Sequence, residues 1–249
     1  MHIDHAALLF FAALAAGALN SVAGGGSFLA FPALLFTGVS AIAANATNTV
    51  ALWPGTVASA FAYRREMRDR ETWKMLAPLF AVTFVGSIGG AILLLETPER
   101  TFTTLIPILL GVATFVFAFG PRLRNVANVA RSPVVGTALQ LVVAIYIGYF
   151  GAGAGILMLA LFSLMGMKNI HTMNAFKSLL AALANGTAVV TFIVARKVVW
   201  PDAILMTVGA AIGGYGGAFV AQRVDPKRVR WIGIGIGCAM TVYFAVKRP

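Results

Sequence analysis

The chain has 249 residues, of which 59% are hydrophobic and only 11% are charged. A soluble domain carries about 25% charged residues, so this composition excludes an ordinary soluble domain and favours a polytopic membrane protein. The net charge of +11 could indicate nucleic acid binding, but the basic residues fall in short links between apolar runs, as the positive-inside rule predicts.

Ten apolar runs follow one another along the chain, in two sets of five. The first set covers residues 6–22, 25–37, 42–62, 72–95 and 101–119, and the second covers 133–150, 152–167, 171–195, 200–222 and 229–246. A helix that spans a bilayer needs about 20 residues, so the runs 25–37 and 152–167 are too short for a full span. We therefore predict an all-α polytopic membrane protein in which each half has about five segments, including a short hairpin broken by glycine. Full crossing by these short segments stays open as the alternative.

The first of these breaks lies at Gly24, Gly25 and Gly26, flanked by polar side chains at Asn20, Ser21 and Ser27, and it is followed by Asn45, Asn48, Thr49 and Trp53-Pro54. Irregular backbone survives in hydrocarbon only where it is buried in protein or lines a wet cavity. Paired, glycine-broken short segments are also the best sequence indication of a transporter's substrate site. The alternative is that the glycines at the breaks only allow helices to pack closely. We interpret the pairs Gly86/Gly90 and Gly213/Gly217, which lie elsewhere in the chain, in this way. Asn45 is expected to cap a helix start, whereas Asn48 is expected to line the cavity.

The second half of the chain repeats this pattern. Gly151, Gly153 and Gly155 form a second break, Asn174 follows at the position of Asn48, and Trp200 follows Trp73 at an offset of 127 residues. The order of these matches predicts a tandem duplication. The first repeat covers residues 1–121, a cytoplasmic linker covers 122–132, and the second repeat covers 133–249.

The distribution of basic residues predicts the orientation of the two repeats. Of the nineteen Lys and Arg residues, alternation of the spans places thirteen on one side and five on the other, with Lys177 inside a run. The richer side is cytoplasmic by the positive-inside rule. Both termini are then outside, and a repeat of five segments puts the halves in opposite orientations. This predicts an inverted repeat. The two glycine breaks are then expected to come together near the bilayer midplane and to form one anion site between the repeats, which would work by alternating access.

Lys177 is the most distinctive single residue, because it lies within an apolar run that contains no acidic partner. An intramembrane cation is by default a functional-site hypothesis, and its partner here would be an anionic substrate. The alternative is that the long side chain snorkels back to the interface. Because the acidic residues lie only outside or at the ends of the runs, the sequence also favours transport driven by the substrate gradient or the membrane potential, with export as the preferred direction.

Two motifs carry a family resemblance: NSVAGGGSFLAFPALLFTGVSAIAANATNTVALWPGTVASAFAYRR in the first half and GYFGAGAGILMLALFSLMGMKNIHTMNAFKSLLAALANGTA in the second. In these motifs and their order, the chain resembles the TauE/SafE sulfite exporter family, also called the toluene-sulfonate uptake permeases. The resemblance covers essentially the whole chain. It implies a carrier in the bacterial inner membrane for small sulfur-containing anions such as sulfite or organosulfonates.

Two other classes of protein compete with a carrier. A membrane enzyme is poorly supported, since the chain has one cysteine, three histidines and acidic residues only outside or at the ends of its apolar runs. An anion channel of the same fold stays open as the alternative, and so does a homodimer. We expect a small anionic substrate in a lipid bilayer, with no catalytic residue, cofactor, metal or nucleic acid. The predicted substrate-binding residues are Asn20, Ser21, Gly24, Gly25, Gly26, Ser27, Asn48, Thr49, Trp53, Gly151, Gly153, Gly155, Asn174 and Lys177.

Overall fold

The computed structural model describes residues 3–23, 25–67, 70–123, 132–221 and 226–246. These residues form helices joined by short turns, with no strand among them, which confirms the all-α prediction. The helices are α1 (Ile3–Ala23), α2 (Ser27–Phe36), α3 (Ala41–Ala62), α4 (Arg70–Glu96), α5 (Glu99–Leu123), α6 (Pro133–Tyr149), α7 (Ala154–Leu164), α8 (Ile170–Val194), α9 (Trp200–Ala221) and α10 (Pro226–Val246), with a 3₁₀ turn at Arg64–Met67. Most of the predicted linker lies outside the described residues.

Helix length separates two short helices from the others. α2 has 10 residues and α7 has 11, which at 1.5 Å per residue is about half of a 30 Å hydrocarbon core. Within the described parts of the chain, Thr72–Glu96 of α4 and His171–Val194 of α8 are long and apolar enough to cross a membrane by length and composition. Large apolar side chains also lie on the outer surface, for example Phe61 at 68% and Val85 at 65% exposure. Such a surface suits contact with lipid rather than water.

The two short helices begin at the two glycine breaks. At the first break, a Cβ on Gly26 would lie 2.6 Å from the carbonyl oxygen of Ala16, so α2 starts beside the last turns of α1. At the second break, Gly151 and Gly153 have φ values of +74° and +72°. Residues with a Cβ are strained in this left-handed region, so glycine allows the chain to reverse between α6 and α7. Each short helix therefore follows a sharp change of direction.

Glycines also bring two pairs of long helices into close contact. A Cβ on Gly90 would collide with the carbonyl of Ile145 in α6, and one on Gly213 would collide with the carbonyl of Leu14 in α1. The prediction that Gly86, Gly90 and Gly213 serve close helix packing is thus confirmed. The surroundings of Gly217 are not among those that the structure describes. The pairs α4–α6 and α1–α9 hold the two halves of the chain together.

Most of the packed helix pairs follow one rule. They have a counterpart when each helix is replaced by the helix five places away: α1–α9 by α6–α4, α3–α9 by α8–α4, and α2–α10 by α7–α5. α3 and α8 pack directly on each other and run antiparallel, because Trp53 contacts Ala182 while Ser59 contacts Ser178. α3 and α8, which are five places apart in the order of helices, therefore point in opposite directions.

Candidate functional site

The first polar centre lies where α3 passes the start of α2. The Asn48 side chain is 2% exposed, and its Nδ2 donates to the Oγ of Ser27, the first residue of α2, at 3.2 Å. These two predicted residues are thus in contact. Asn48 is held inside the protein because α3 is packed on its inner face by α2, α8 and α9.

Asn45, one turn earlier on α3, contacts the second break. Its Nδ2 donates to the carbonyl oxygen of Tyr149, the last residue of α6, at 3.2 Å. A ring contact supports the same approach, since the Phe31 ring of α2 meets the Phe150 ring edge-on at 5.4 Å. Within one turn, α3 therefore touches both breaks.

The expectation that Asn45 caps a helix start is wrong. The N-cap of α3 is Ser40, and the amide of Ile42 in the first turn donates a hydrogen bond to the Glu99 carboxylate at 3.0 Å. Asn45 is 1% exposed and faces the protein interior. The sequence feature that indicates this interior position is the spacing of three residues between Asn45 and Asn48, which places both side chains on one helix face.

The second polar centre lies where α8 passes the start of α7. Lys177 Nζ donates to the Oδ1 of Asn174 at 3.2 Å, and the Lys177 stem lies 3.4 Å from the position of a Cβ on Gly155. Three of the predicted residues are therefore together here. The side chain is partly buried, and its amine is directed one turn back towards the start of α8.

The remaining predicted residues surround these two centres. Trp53 Nε1 donates to the Ala182 carbonyl at 2.9 Å and fixes α3 against α8, while the Thr49 hydroxyl donates to the Asn45 carbonyl in its own helix. A Cβ on Gly25 would lie 3.1 Å from the Phe28 ring, and a Cβ on Gly26 would lie 3.2 Å from Asn20 Cβ. Gly151 approaches Asn185 and Gly153 packs on Ala113 of α5. Gly24 and the side chain of Ser21 lie outside the described residues.

The two polar centres are separate from each other. Trp53 of α3 is in contact with Ala182 of α8. Asn48 lies five residues before Trp53, and Lys177 lies five residues before Ala182. Because α3 and α8 are antiparallel, these five-residue steps run in opposite directions, which gives about 15 Å along the helices at 1.5 Å per residue. The predicted residues thus form two groups on either side of the Trp53–Ala182 contact.

A further buried polar cluster links α4, α6 and α8, and the sequence reasoning missed it. Gln140 Nε2 donates to Thr83 Oγ1 at 2.8 Å, and the hydroxyls of Ser87 and Thr187 are 2.6 Å apart. Gln140, Thr83 and Ser87 are fully buried. The sequence feature that could have predicted this cluster is the presence of polar residues on an otherwise apolar, glycine-rich helix face.

An open groove of about 630 Å³ runs along the outer face of α3. Its described lining is Trp53, Pro54, Val57, Ala58, Phe61, Ala62 and Arg64. Trp53 is the member that it shares with the predicted substrate-binding residues. The groove is apolar apart from its Arg64 end, so it suits an acyl chain better than a small anion.

Comparison with known proteins places the chain in a family. A family model described as "Sulfite exporter TauE/SafE" matches residues 9–244. The chain is 32% identical to "Probable membrane transporter protein YfcA" of Escherichia coli K12 over 229 residues, which is 90% of this chain and 83% of that protein.

More distant relatives carry similar names. The chain is 27% identical over 233 residues to "Probable membrane transporter protein" of Haemophilus influenzae, covering 92% of this chain and 89% of that protein. It is 27% identical over 238 residues to "Probable membrane transporter protein ORF9" of a Sinorhizobium species, covering 95% and 90%. No solved structure matches the chain. The near-complete match, together with the helices that begin at glycine breaks, establishes that the chain belongs to the TauE/SafE sulfite exporter family of membrane transporters.

Proposed function

We propose that this chain carries small sulfur-containing anions, such as sulfite or organosulfonates, out of the bacterial cell across the inner membrane by alternating access. The observation that carries the proposal is the polar centre at Lys177. In the part of the chain that the structure describes, its ammonium donates to the amide oxygen of Asn174 and to no carboxylate, so its positive charge is available to an anion. Intramembrane cations with this kind of environment mark substrate paths.

The start of α7 adds to this attraction. The helix begins at Ala154 after Gly153, which as a glycine supplies no side-chain cap, and the amides of Ala154 and Ile156 donate to the carbonyls of Gly151 and Gly153. Backbone N–H groups at a helix N-terminus carry partial positive charge, which favours an anion nearby. Gly155 in that first turn lies against the Lys177 stem, so the helix end and the ammonium belong to one site.

The arrangement of the two halves supports alternating access. The antiparallel packing of α3 on α8, and the matched contact pairs five helices apart, are what two inverted repeats at 1–121 and 133–249 would produce. Inverted repeats rock against each other around a site between them in several carriers. With both termini outside, the polar centres at Asn48 and Lys177 would lie towards the outer and the cytoplasmic side respectively.

Reconstituted transport tests the proposal directly. Purified protein in liposomes is loaded with sulfite, sulfoacetate or an arylsulfonate, and efflux is measured with and without the same anion outside. We expect saturable efflux of at least one of these anions, stimulated by the anion on the opposite side. Efflux that neither saturates nor responds to the opposite side would indicate an anion channel. No efflux of any sulfur-containing anion, by a protein that melts cooperatively, would refute the proposed substrate class.

A further inference from the structure

The buried amide oxygens of Asn45 and Asn48 are left without partners. Both side chains use Nδ2 as a donor, to the Tyr149 carbonyl and to the Ser27 hydroxyl. Each Oδ1 is inaccessible to solvent and has no hydrogen-bond partner among the described residues. A buried polar atom without a partner costs about 1–3 kcal/mol, so a pair of them on one helix face needs an explanation.

The orientation of Asn45 fixes which of its atoms is free. A backbone carbonyl only accepts hydrogen bonds, so the group of Asn45 that meets Tyr149 O has to be the amide NH₂. The free atom of Asn45 is therefore an acceptor. Asn48 lies one turn later on the same face, and the Ser27 hydroxyl beside it keeps a lone pair after accepting from Nδ2.

A group of acceptors attracts a cation and repels an anion. Amide, hydroxyl and carbonyl oxygens are ligands of hard metal cations. The set carries no formal charge, whereas a divalent ion in a protein site is usually held by carboxylates. Unwound backbone beside discontinuous helices coordinates Na⁺ in other transporters, and both glycine breaks adjoin Asn45 and Asn48.

We propose that Asn45 Oδ1, Asn48 Oδ1 and Ser27 Oγ bind a monovalent alkali-metal cation between the two glycine breaks. This site is separate from the one at Lys177, about 15 Å away along the helices. A cation there would be sensitive to the position of both breaks, because Asn48 holds the start of α2 and Asn45 holds the end of α6. It is thus placed to act as a coupling ion that accompanies the anion, a consequence that rests on the proposed function, whereas cation binding itself does not.

Cation binding is measured on the purified protein without any transported anion. Melting curves are recorded in NaCl, KCl and choline chloride at equal ionic strength. We expect a saturable rise of the melting midpoint in NaCl or KCl above the choline chloride value, because a ligand that binds the native state stabilises it. Equal midpoints in all three salts would overturn the site and would assign the free oxygens to bound water.

Three variants locate the site. Asn48→Asp keeps the contact to Ser27, because the serine hydroxyl can donate to the carboxylate, and it adds a negative charge beside Asn45. Added ligand charge strengthens cation binding, so we expect the half-saturating cation concentration to fall on the order of tenfold. Asn48→Ala removes one ligand and is expected to raise it on the order of tenfold. Ser27→Ala, which leaves both asparagines in place, is expected to raise it several-fold, and it keeps the test valid if the Asn48 variants fold poorly.

Asn174→Asp is the matched control. It introduces the same carboxylate at the equivalent turn of α8, next to Lys177. We expect no change in cation affinity, since this residue lies at the other polar centre. Equal gains in Asn48→Asp and Asn174→Asp would refute the assignment to α3. Anion efflux in sodium, potassium and choline media separates the two proposals: efflux that is independent of the cation removes the coupling role and leaves anion transport intact.

Discussion

Removing the charge of Lys177 should weaken anion transport strongly while leaving the fold intact. Lys177→Met suits the test best, because methionine keeps an unbranched apolar stem against Gly155 and deletes only the ammonium. Asn174 loses its bond to Lys177 in this variant, but it is partly exposed and water can replace the ammonium. We therefore expect a loss of stability of about 1 kcal/mol or less.

The loss of anion affinity follows from the kind of contact. A hydrogen bond to a charged group is worth about 1.5–3 kcal/mol, and each 1.4 kcal/mol corresponds to about a factor of ten in affinity. Lys177 is partly exposed, so solvent screening favours the lower end of that range. The half-saturating anion concentration should rise about tenfold or more in Lys177→Met, and Lys177→Arg should retain part of the wild-type affinity.

Efflux from liposomes and anion-dependent melting measure this effect. Lys168→Met is the matched control, because it removes the same charge from an exposed residue just before α8 and should leave anion affinity unchanged. Wild-type affinity in Lys177→Met would refute the reasoning. The amine, which is directed towards the start of α8, would then be a snorkelling group, and the site would consist of neutral dipoles.

Three further predictions concern the fold. In a background without the native cysteine, Asp4→Cys and Pro249→Cys should both react with an impermeant label added outside, and labelling of either only from the cytoplasm would refute the proposed topology. Gly90→Ala should cost about 1–3 kcal/mol through overpacking of α4 on α6, whereas its neighbour Gly89→Ala, which has open space around its Cβ position, should be neutral or stabilising in the same melting assay; equal behaviour of the two would contradict the contact. Asn169→Ala should destabilise the protein by about 1 kcal/mol, because its side chain caps the first amides of α8, and an unchanged melting midpoint would show that the cap is dispensable.

The positions of the short helices could be predicted from the sequence because their cause is local. Glycine clusters interrupt otherwise apolar runs, and no other part of the fold is needed to explain why α2 and α7 begin where they do. The close helix contacts of Gly90 and Gly213 were likewise predictable from the spacing of small residues. Asn45 was misjudged because an asparagine near the start of an apolar run is often a cap, and its actual partner, Tyr149, lies 104 residues away along the chain.

The sequence by itself determined the helical class, the two breaks and the family, since these depend on composition, local backbone preference and the order of motifs. The tertiary structure alone decided which polar residues meet. The antiparallel crossing of α3 and α8 puts Asn48 and Lys177 on opposite sides of the Trp53–Ala182 contact, although each follows a glycine break in the sequence. The same packing brings Asn45 to Tyr149 and leaves the amide oxygens of Asn45 and Asn48 without partners among the described residues. Such separations and meetings depend on the relative direction and register of helices that are distant in the chain, and a pattern of residue types does not encode them locally.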